Sequence, residues 1–306
     1  VSSKQPDDDL PFVSVVVPAY NAERHLPRCL ESLQNLNWPE ERLEIIVVDN
    51  NSTDDTALIA SCFNNICLLK EKRQGATHAR NAGWTWARGE WIAFTDADCE
   101  VAPDWLRQLL PAFTDPKVGL TGGELKPDEP TTSVERYIIE KDILSQERAL
   151  EDVPCSPPFL VTANAAYRRR ALEEVGGFDP WLTVNGEDAD LAWRVQEAGW
   201  QLRYIPEARV THHHRADLRA MLRQIHSYGC GTSYLFKKYR PKWGYSRFTL
   251  KEPYIELIRS TLKVPLAYLT GGDELERKRP LYDMLGAAAY LWGKLKTSAK
   301  LKVWNV

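Results

Sequence analysis

The chain has 306 residues, 43% hydrophobic and 26% charged, which suits one large domain or a domain with a substantial extension and excludes disordered and fibrous classes. Its net charge of −3 conceals an uneven split: residues 1–202 carry 19 basic and 34 acidic side chains, and residues 203–306 carry 20 and 8. An acidic front therefore precedes a basic tail, and a basic tail suits phosphates, nucleic acid or an anionic membrane surface.

In chain order, "VSSKQPDDDL" lacks the apolar core of a signal peptide and reads as a disordered leader over residues 1–10. "FVSVVVPAY" is a continuous β-branched run ended by Pro18, the pattern of a strand buried on both faces of a parallel sheet. Asn21 is expected to cap a helix carrying Leu26, Leu30 and Leu33 at helical spacing, with Pro27 tolerated in its first turn. "LEIIVVDN" is a second buried strand, after which Ser52 or Thr53 is expected to cap a helix and Asp54 and Asp55 suit its positive end. "ICLLKEK" reads as a third strand, a helix follows from about Thr77 to Arg88, and "EWIAFTDAD" reads as a fourth strand.

Strands alternating with helices imply a doubly wound α/β sheet, because parallel strands require crossovers. Ligands in such sheets bind beyond the carboxyl ends of the strands, here Pro18 to Asn21, Asp49 to Asn51 and Asp96 to Asp98. Beyond Asp98, "PDWLRQLLPAF" reads as a helix, "VGLTGGEL" as a strand running into a glycine turn, and "SVERYIIEKDILSQERAL" as one long amphipathic helix. "VTANAAYRRRALEEVGGF" reads as a strand and a helix stopped by Gly176 and Gly177, and "GEDADLAWRVQEAG" as a helix ended by Gly199. "WQLRYIPEARVTHHH" contains two short strands, and a boundary near residue 215 opens the basic, aromatic-rich tail.

Six cysteines (Cys29, Cys62, Cys67, Cys99, Cys155, Cys230) are scattered without C-x-x-C or zinc-like spacing, as expected of reduced thiols in a cytoplasmic protein. No apolar run approaches the ~20 residues of a spanning helix, so any membrane relation is expected to be peripheral, at the cytoplasmic face.

Three polar clusters carry the chemistry. On a strand, Asp96 and Asp98 point to one side, which suits Mg²⁺ or Mn²⁺ bridging to a diphosphate; an acidic strand-to-loop turn explains the same residues. Glu187 and Asp188 follow Asn185-Gly186 at a helix start, where they either complement the macrodipole or supply a general base kept ionised by the helix N-terminus. Of His212, His213 and His214, strand alternation sends the first and last one way, either to complete a Mn²⁺ site begun by Asp98 or simply into a solvated turn.

The ordered stretches "VSVVVPAYNAERHLPRCLESL", "EIIVVDNNSTDDT", "GATHARNAGWTWARGEWIAFTDADC", "NAAYRRRALEEVGGFD", "GEDADLAWRVQEAGW" and "VTHHHR" resemble family 2 glycosyltransferases of the GT-A fold, over roughly residues 12–230. The resemblance implies a doubly wound, mostly parallel sheet with flanking helices over 11–215, its nucleotide-binding half at about 11–100 and its acceptor half at about 101–215. A helical basic extension over 216–306 would follow. It also implies transfer of one sugar from a nucleoside-diphosphate sugar, with uridine diphosphate preferred, to an acceptor hydroxyl with inversion. By the same resemblance Pro18, Ala19, Tyr20 and Asn21 form the nucleotide pocket, Tyr20 offers a stacking face, and Asp49 accepts a hydrogen bond from the base. Arg80 approaches the base or ribose, with Asn81 assisting, and Asp96 bonds to ribose. Asp98 with His212, chosen over His214, holds Mn²⁺ or Mg²⁺. Asp188 is the base, and Glu187 bonds to the acceptor or orients the base. Gly122, Gly123 and Asn164 surround the donor sugar, and Arg223, Gln224 and Tyr228 face diphosphate or acceptor. Ser227 stands where processive synthases carry arginine, which favours single additions to a glycan or lipid-linked acceptor.

The tail stretches "YLFKKYRPKWGYSRF" and "AAAYLWGKLKTSAKLKVW" interleave aromatics with Lys and Arg, as expected either of a contact with an anionic membrane or of a helical cover on the catalytic domain. No nucleic-acid reader motif accompanies the charge. The rival readings are a non-catalytic sugar-nucleotide or glycan-binding module on this fold, a retaining transferase, and a sugar-phosphate nucleotidyltransferase. The last would be expected to carry a glycine-rich basic loop where this chain has "VPAYNAERH".

Overall fold

The structure is a computed structural model describing residues 10–151, 157–243, 251–269 and 272–303; the expected leader (but for Leu10) and Cys155 lie outside them. Parallel strands β1 (Val13–Ala19), β2 (Leu43–Asp49), β3 (Ile66–Lys70) and β4 (Trp91–Phe94) form one half of an eight-stranded sheet. They alternate with α1 (Leu26–Gln34), α2 (Thr56–Ser61) and α3 (Ala76–Trp86). The other half is mixed: β5 (Cys99–Val101), β6 (Val118–Pro127), β7 (Ala165–Arg168) and β8 (Gln201–His212) complete the order β3-β2-β1-β4-β7-β6-β8-β5.

Side chains alternate across the sheet and feed two cores. Val13, Val15 and Val17 of β1 pack toward Leu26, Leu30 and Leu33 of α1 and Trp105 of α4 (Trp105–Leu109). Val16 faces the opposite side, toward Ala79 of α3, Leu172 of α7 (Arg169–Val175) and Leu191 of α8 (Glu187–Glu197). Helices on both faces make the sheet doubly wound, as its apolar runs predict.

Several local expectations fail for tertiary reasons. Asn21 is no helix cap: with φ 47° it sits in the turn after β1 and its Oδ1 accepts the Thr53 N–H, tying the first two strand ends together. Neither Ser52 nor Thr53 caps α2; Asp54 accepts from the Thr56 N–H and hydroxyl instead. The long helix expected from Ser133 is broken into α5 (Ser133–Glu140), begun by a Thr132/Glu135 capping box, and α6 (Gln146–Ala149). Asp142 and Leu144 take positive φ between them, and Ser145 caps the second piece. Gly122 and Gly123 lie inside β6, not in a turn. A Cβ on Gly123 would stand 1.8 Å from the Ala208 carbonyl oxygen, so only glycine lets β6 and β8 approach. The two strands expected after Trp200 are one twelve-residue strand whose register with β6 shifts between Gly123 and Leu125.

The tail forms α9 (Leu218–Trp243), α10 (Glu252–Leu269) and α11 (Glu274–Leu301). Tyr234, Phe236 and Tyr239 of α9 are buried, and Gly229 and Gly293 admit close α9–α11 contact, so these two helices form the helical cover. α10 packs on α11 and leaves Ile255, Ile258, Leu262, Leu266 and Leu269 43–82% exposed. Among the described residues no helix is long and apolar enough to cross a membrane.

Candidate active site

The parallel strand ends converge as the fold requires. Pro18, Ala19, Tyr20 and Asn21 line a cavity of about 330 Å³ whose far wall includes Arg80, Asp96 and Asp98. Tyr20, at its edge, is 53% exposed. Asp49 does not line this cavity; it is buried and accepts the Ser52 N–H at 3.1 Å. Its neighbour Asn50 lines the cavity and holds the following loops, bonding to the carbonyls of Glu71 and Arg73 and to the Gly75 N–H.

Asp96 and Asp98 are not on a strand: β4 ends at Phe94 and the two carboxylates occupy a turn before β5. They diverge. Asp96 Oδ1 takes a 2.8 Å bond from Arg80 Nη2, whereas Asp98 Oδ2 lies 2.8 Å from Arg215 Nη1 and its Oδ1 lies 3.6 Å from His212 Nε2. Burial opposes the charge of Asp98, yet His212, Arg215 and His25 hold its carboxyl below the ordinary range. Burial pushes the His212 imidazole down, toward the neutral form that ligates metals.

Asp98, Cys99 and His212 present ligand atoms within 4.8 Å of one another, and His212 Nδ1 is a buried atom with no hydrogen-bond partner. A carboxylate beside a neutral imidazole fits Mn²⁺ or Mg²⁺; burial raises the Cys99 thiol far above its usual range and leaves it a poor ligand. The His214 ring lies 4.9 Å from that of His212, tilted at 56° to it, but His214 is outside this cluster. His213, just past the end of β8, lies between Glu100 (2.6 Å) and Asp128 (2.9 Å).

A second cavity, of about 490 Å³, has Asp188 in its wall together with Tyr228. Glu187 and Asp188 open α8 as expected, but burial reverses the expected effect of the helix N-terminus: Asp188 lies above the ordinary carboxylate range. Burial, then the Asp188 charge, pushes Glu187 up to about 7. Opposing this, Thr162 donates its hydroxyl to Asp188 Oδ1 (2.6 Å) and its N–H to Oδ2 (3.3 Å). Arg80, only 4% exposed, bonds to Glu187 Oε1 at 2.8 Å and lies 3.9 Å from Asp188 Oδ1. One guanidinium thus joins the carboxylate of the first cavity to the pair beside the second. Arg80 was expected at a base or ribose; this bridging position, Thr162 and Arg215 are what the sequence does not disclose.

The remaining expected contacts scatter. Asn164 is fully buried and bonds to Trp105 Nε1 and to the carbonyls of Glu124 and Ala208, while Gly122 and Gly123 pack against neighbouring backbone. None of the three lines either cavity, because the sheet's own packing consumes them. Asn81 bonds to the backbone of Phe178 and does not line the first cavity. Gln224 donates to the Tyr228 hydroxyl at 3.0 Å, but Arg223 lies on a separate shallow face of α9 with Leu222 and His226.

The sequence is 31% identical over 202 residues to the glycosyltransferase AglE of Haloferax volcanii, covering 64% of each chain. It is 33% identical over 226 residues to the pre-mycofactocin glycosyltransferase of Mycobacterium tuberculosis, covering 71% of this chain and 46% of that one. The chain therefore spans about two thirds or less of the length of these curated relatives. Among solved structures, a mannosyltransferase of Pyrobaculum calidifontis in complex with GDP-Man and Mn²⁺ superposes with a TM-score of 0.65 at 22% identity, covering 96% of this chain and 89% of that one. TarS of S. aureus in complex with UDP gives 0.51 at 17% identity, covering 95% and 91%. These likenesses identify the fold as GT-A, a mixed sheet with flanking helices and a helical C-terminal extension. The sequence profile described as Glycosyl transferase family 2 matches residues 14–176, more than half of the 306-residue chain, and the chain belongs to that family.

Proposed function

We propose that residues 11–215 form an inverting glycosyltransferase that moves one sugar from a nucleoside-diphosphate sugar, preferably UDP-linked, to a hydroxyl of a glycan or lipid-linked acceptor. The observation that carries this reading is the Arg80 bridge between Asp96 in one cavity and Glu187 and Asp188 beside the other. A donor in the first cavity has Tyr20 to stack its base and Asp96 for its ribose. A divalent cation held by Asp98 and His212 would offset the charge that gathers on the departing diphosphate. Asp188 takes the acceptor hydroxyl's proton as that oxygen bonds to the anomeric carbon and the carbon–diphosphate oxygen bond breaks on the opposite face. Thr162 fixes the carboxylate for this step, and Arg80 stays charged and steadies its ionised form.

Thermal stabilisation by UDP, GDP, dTDP and CDP, each with and without Mn²⁺, tests the donor assignment. Metal-dependent stabilisation by one nucleotide, lost in Asp98→Ala, is expected; no response to any nucleotide, or an unchanged metal effect in the variant, sinks it.

The membrane contact is assigned to α10. Its aliphatic stripe is exposed, and from Leu257 onward the helix carries Arg259 and Lys263 and no acidic residue. An apolar face with basic flanks suits an anionic bilayer surface. Leu262→Glu should cut co-sedimentation with phosphatidylglycerol vesicles several-fold without changing Tm. Equal binding by both proteins, or equal binding to phosphatidylcholine vesicles, removes the assignment.

A further inference from the structure

The cavity beside Asp188 is unlike a sugar-binding groove. Among the described residues its wall includes Ile143, Leu144, Phe159, Val161, Trp193 and Leu235. Trp193 is only 3% exposed, with Phe159 and Tyr239 perpendicular to it and its Nε1–H given to the Pro157 carbonyl, so it offers little ring face for a sugar to stack on. Three of the polar side chains there, Asn185, Thr232 and Arg148, are engaged by the protein. Asn185 donates to the Ser227 hydroxyl, Thr232 to the Tyr228 carbonyl, and Arg148 to the Lys141 carbonyl. A free oligosaccharide would lose its water hydrogen bonds here and find few replacements, which is costly. A hydrocarbon group meets no such penalty. The space, about 490 Å³, is ample for such a group.

The break between α5 and α6 builds this wall. The long helix that the sequence pattern suggests would carry Ile143 and Leu144 onward in regular helical register; the positive-φ residues Asp142 and Leu144 instead turn the chain, and both apolar side chains line the cavity. Leucine at φ 79° is a strained choice where asparagine would be easier, so this wall carries a backbone cost in exchange for an apolar side chain.

We propose that this cavity receives the acceptor, whose reacting hydroxyl sits next to a hydrocarbon body that the wall encloses while the hydroxyl reaches Asp188. The inference rests on the transferase reading and narrows its acceptor to hydroxyls borne beside an alkyl, prenyl or aromatic group.

The test titrates the full chain with methyl, phenyl and decyl β-D-glucoside below the decyl compound's micelle concentration, by calorimetry. Burying methylenes strengthens binding by up to about fourfold each, so decyl glucoside should bind saturably and at least about tenfold more tightly than methyl glucoside. Phenyl glucoside matching the decyl compound would indicate an aromatic body; decyl alone would indicate a chain. Leu144→Asn relieves the backbone and removes apolar wall, so it should weaken decyl binding several-fold with no fall in Tm. Equal affinity for methyl and decyl glucoside overturns the proposal. So does decyl binding unchanged in Leu144→Asn, which would put the alkyl chain elsewhere, such as on the α10 stripe. The nucleotide panel runs beside it: decyl binding that responds to Leu144→Asn without nucleotide stabilisation would overturn the transferase reading alone.

Discussion

The Asp188→Asn protein is expected to lose about 10³-fold or more in transfer rate, at the upper range of what a positioned base contributes, while its stabilisation by nucleotide stays near that of the parent. The substitution is close to isosteric, and the Thr162 hydroxyl that donates to Asp188 Oδ1 can rotate to accept from an amide, so the side chain keeps its place. What disappears is the proton acceptor in the wall of the second cavity; the first cavity does not include it. Loss of the Asp188 charge also removes one of the causes that raise Glu187, so the Glu187 carboxyl should fall below its parental value of about 7. Initial rates, nucleotide thermal shifts and a carboxyl titration together check this. Full activity in the variant would remove Asp188 from the mechanism, and a parallel loss of nucleotide binding would show that the fold had been damaged.

The parallel half of the sheet is legible because its signals are local: the unbroken run "VSVVV" fits only a strand covered on both faces, and both cores use it. Where the reading fails, the deciding contact mostly comes from far along the chain. One failure is local: the apolar spacing of "SVERYIIEKDILSQERAL" runs on through the positive-φ residues Asp142 and Leu144 that turn the chain. The spacing of Asp96 and Asp98 suggests a shared direction, yet Arg80 and Arg215 draw them apart. Asn164 reads as a sugar contact but is spent on satisfying buried carbonyls, a demand that follows from the packing of β6 and β8. Thr162 precedes Asp188 by 26 residues with no pattern linking them. The exposed stripe of α10 lies in "EPYIELIRSTLKVPLAYL", whose aliphatic spacing looks like that of any core-facing helix until its surroundings are known.

Arg80→Met should be the most damaging single change to stability. Removing one member of a buried ionic cluster leaves the others uncompensated and costs about 3–5 kcal/mol, a Tm fall on the order of 10 °C for a domain of this size. The sign of its pH dependence follows from the same charges. Arg80 lowers both Glu187 and Asp188, against burial that raises them. Without it both rise further above their unfolded values. A carboxyl raised in the folded state contributes stability that is full below its unfolded pKa and is lost as pH rises through its folded pKa. The Tm deficit of Arg80→Met should therefore be small near pH 4–5, where the unfolded-state values lie, and should grow through neutrality. Activity should shift in the same sense: Asp188 acts only when ionised, so the acid limb of the rate profile should move to higher pH. Arg80→Lys keeps a charge but not the fork that spans Asp96 and Glu187 at 2.8 Å each. It should recover part of the pH shift and less of the stability. A deficit independent of pH, with an unmoved acid limb, would mean that Arg80 acts by filling space and that the two cavities are not joined through its charge.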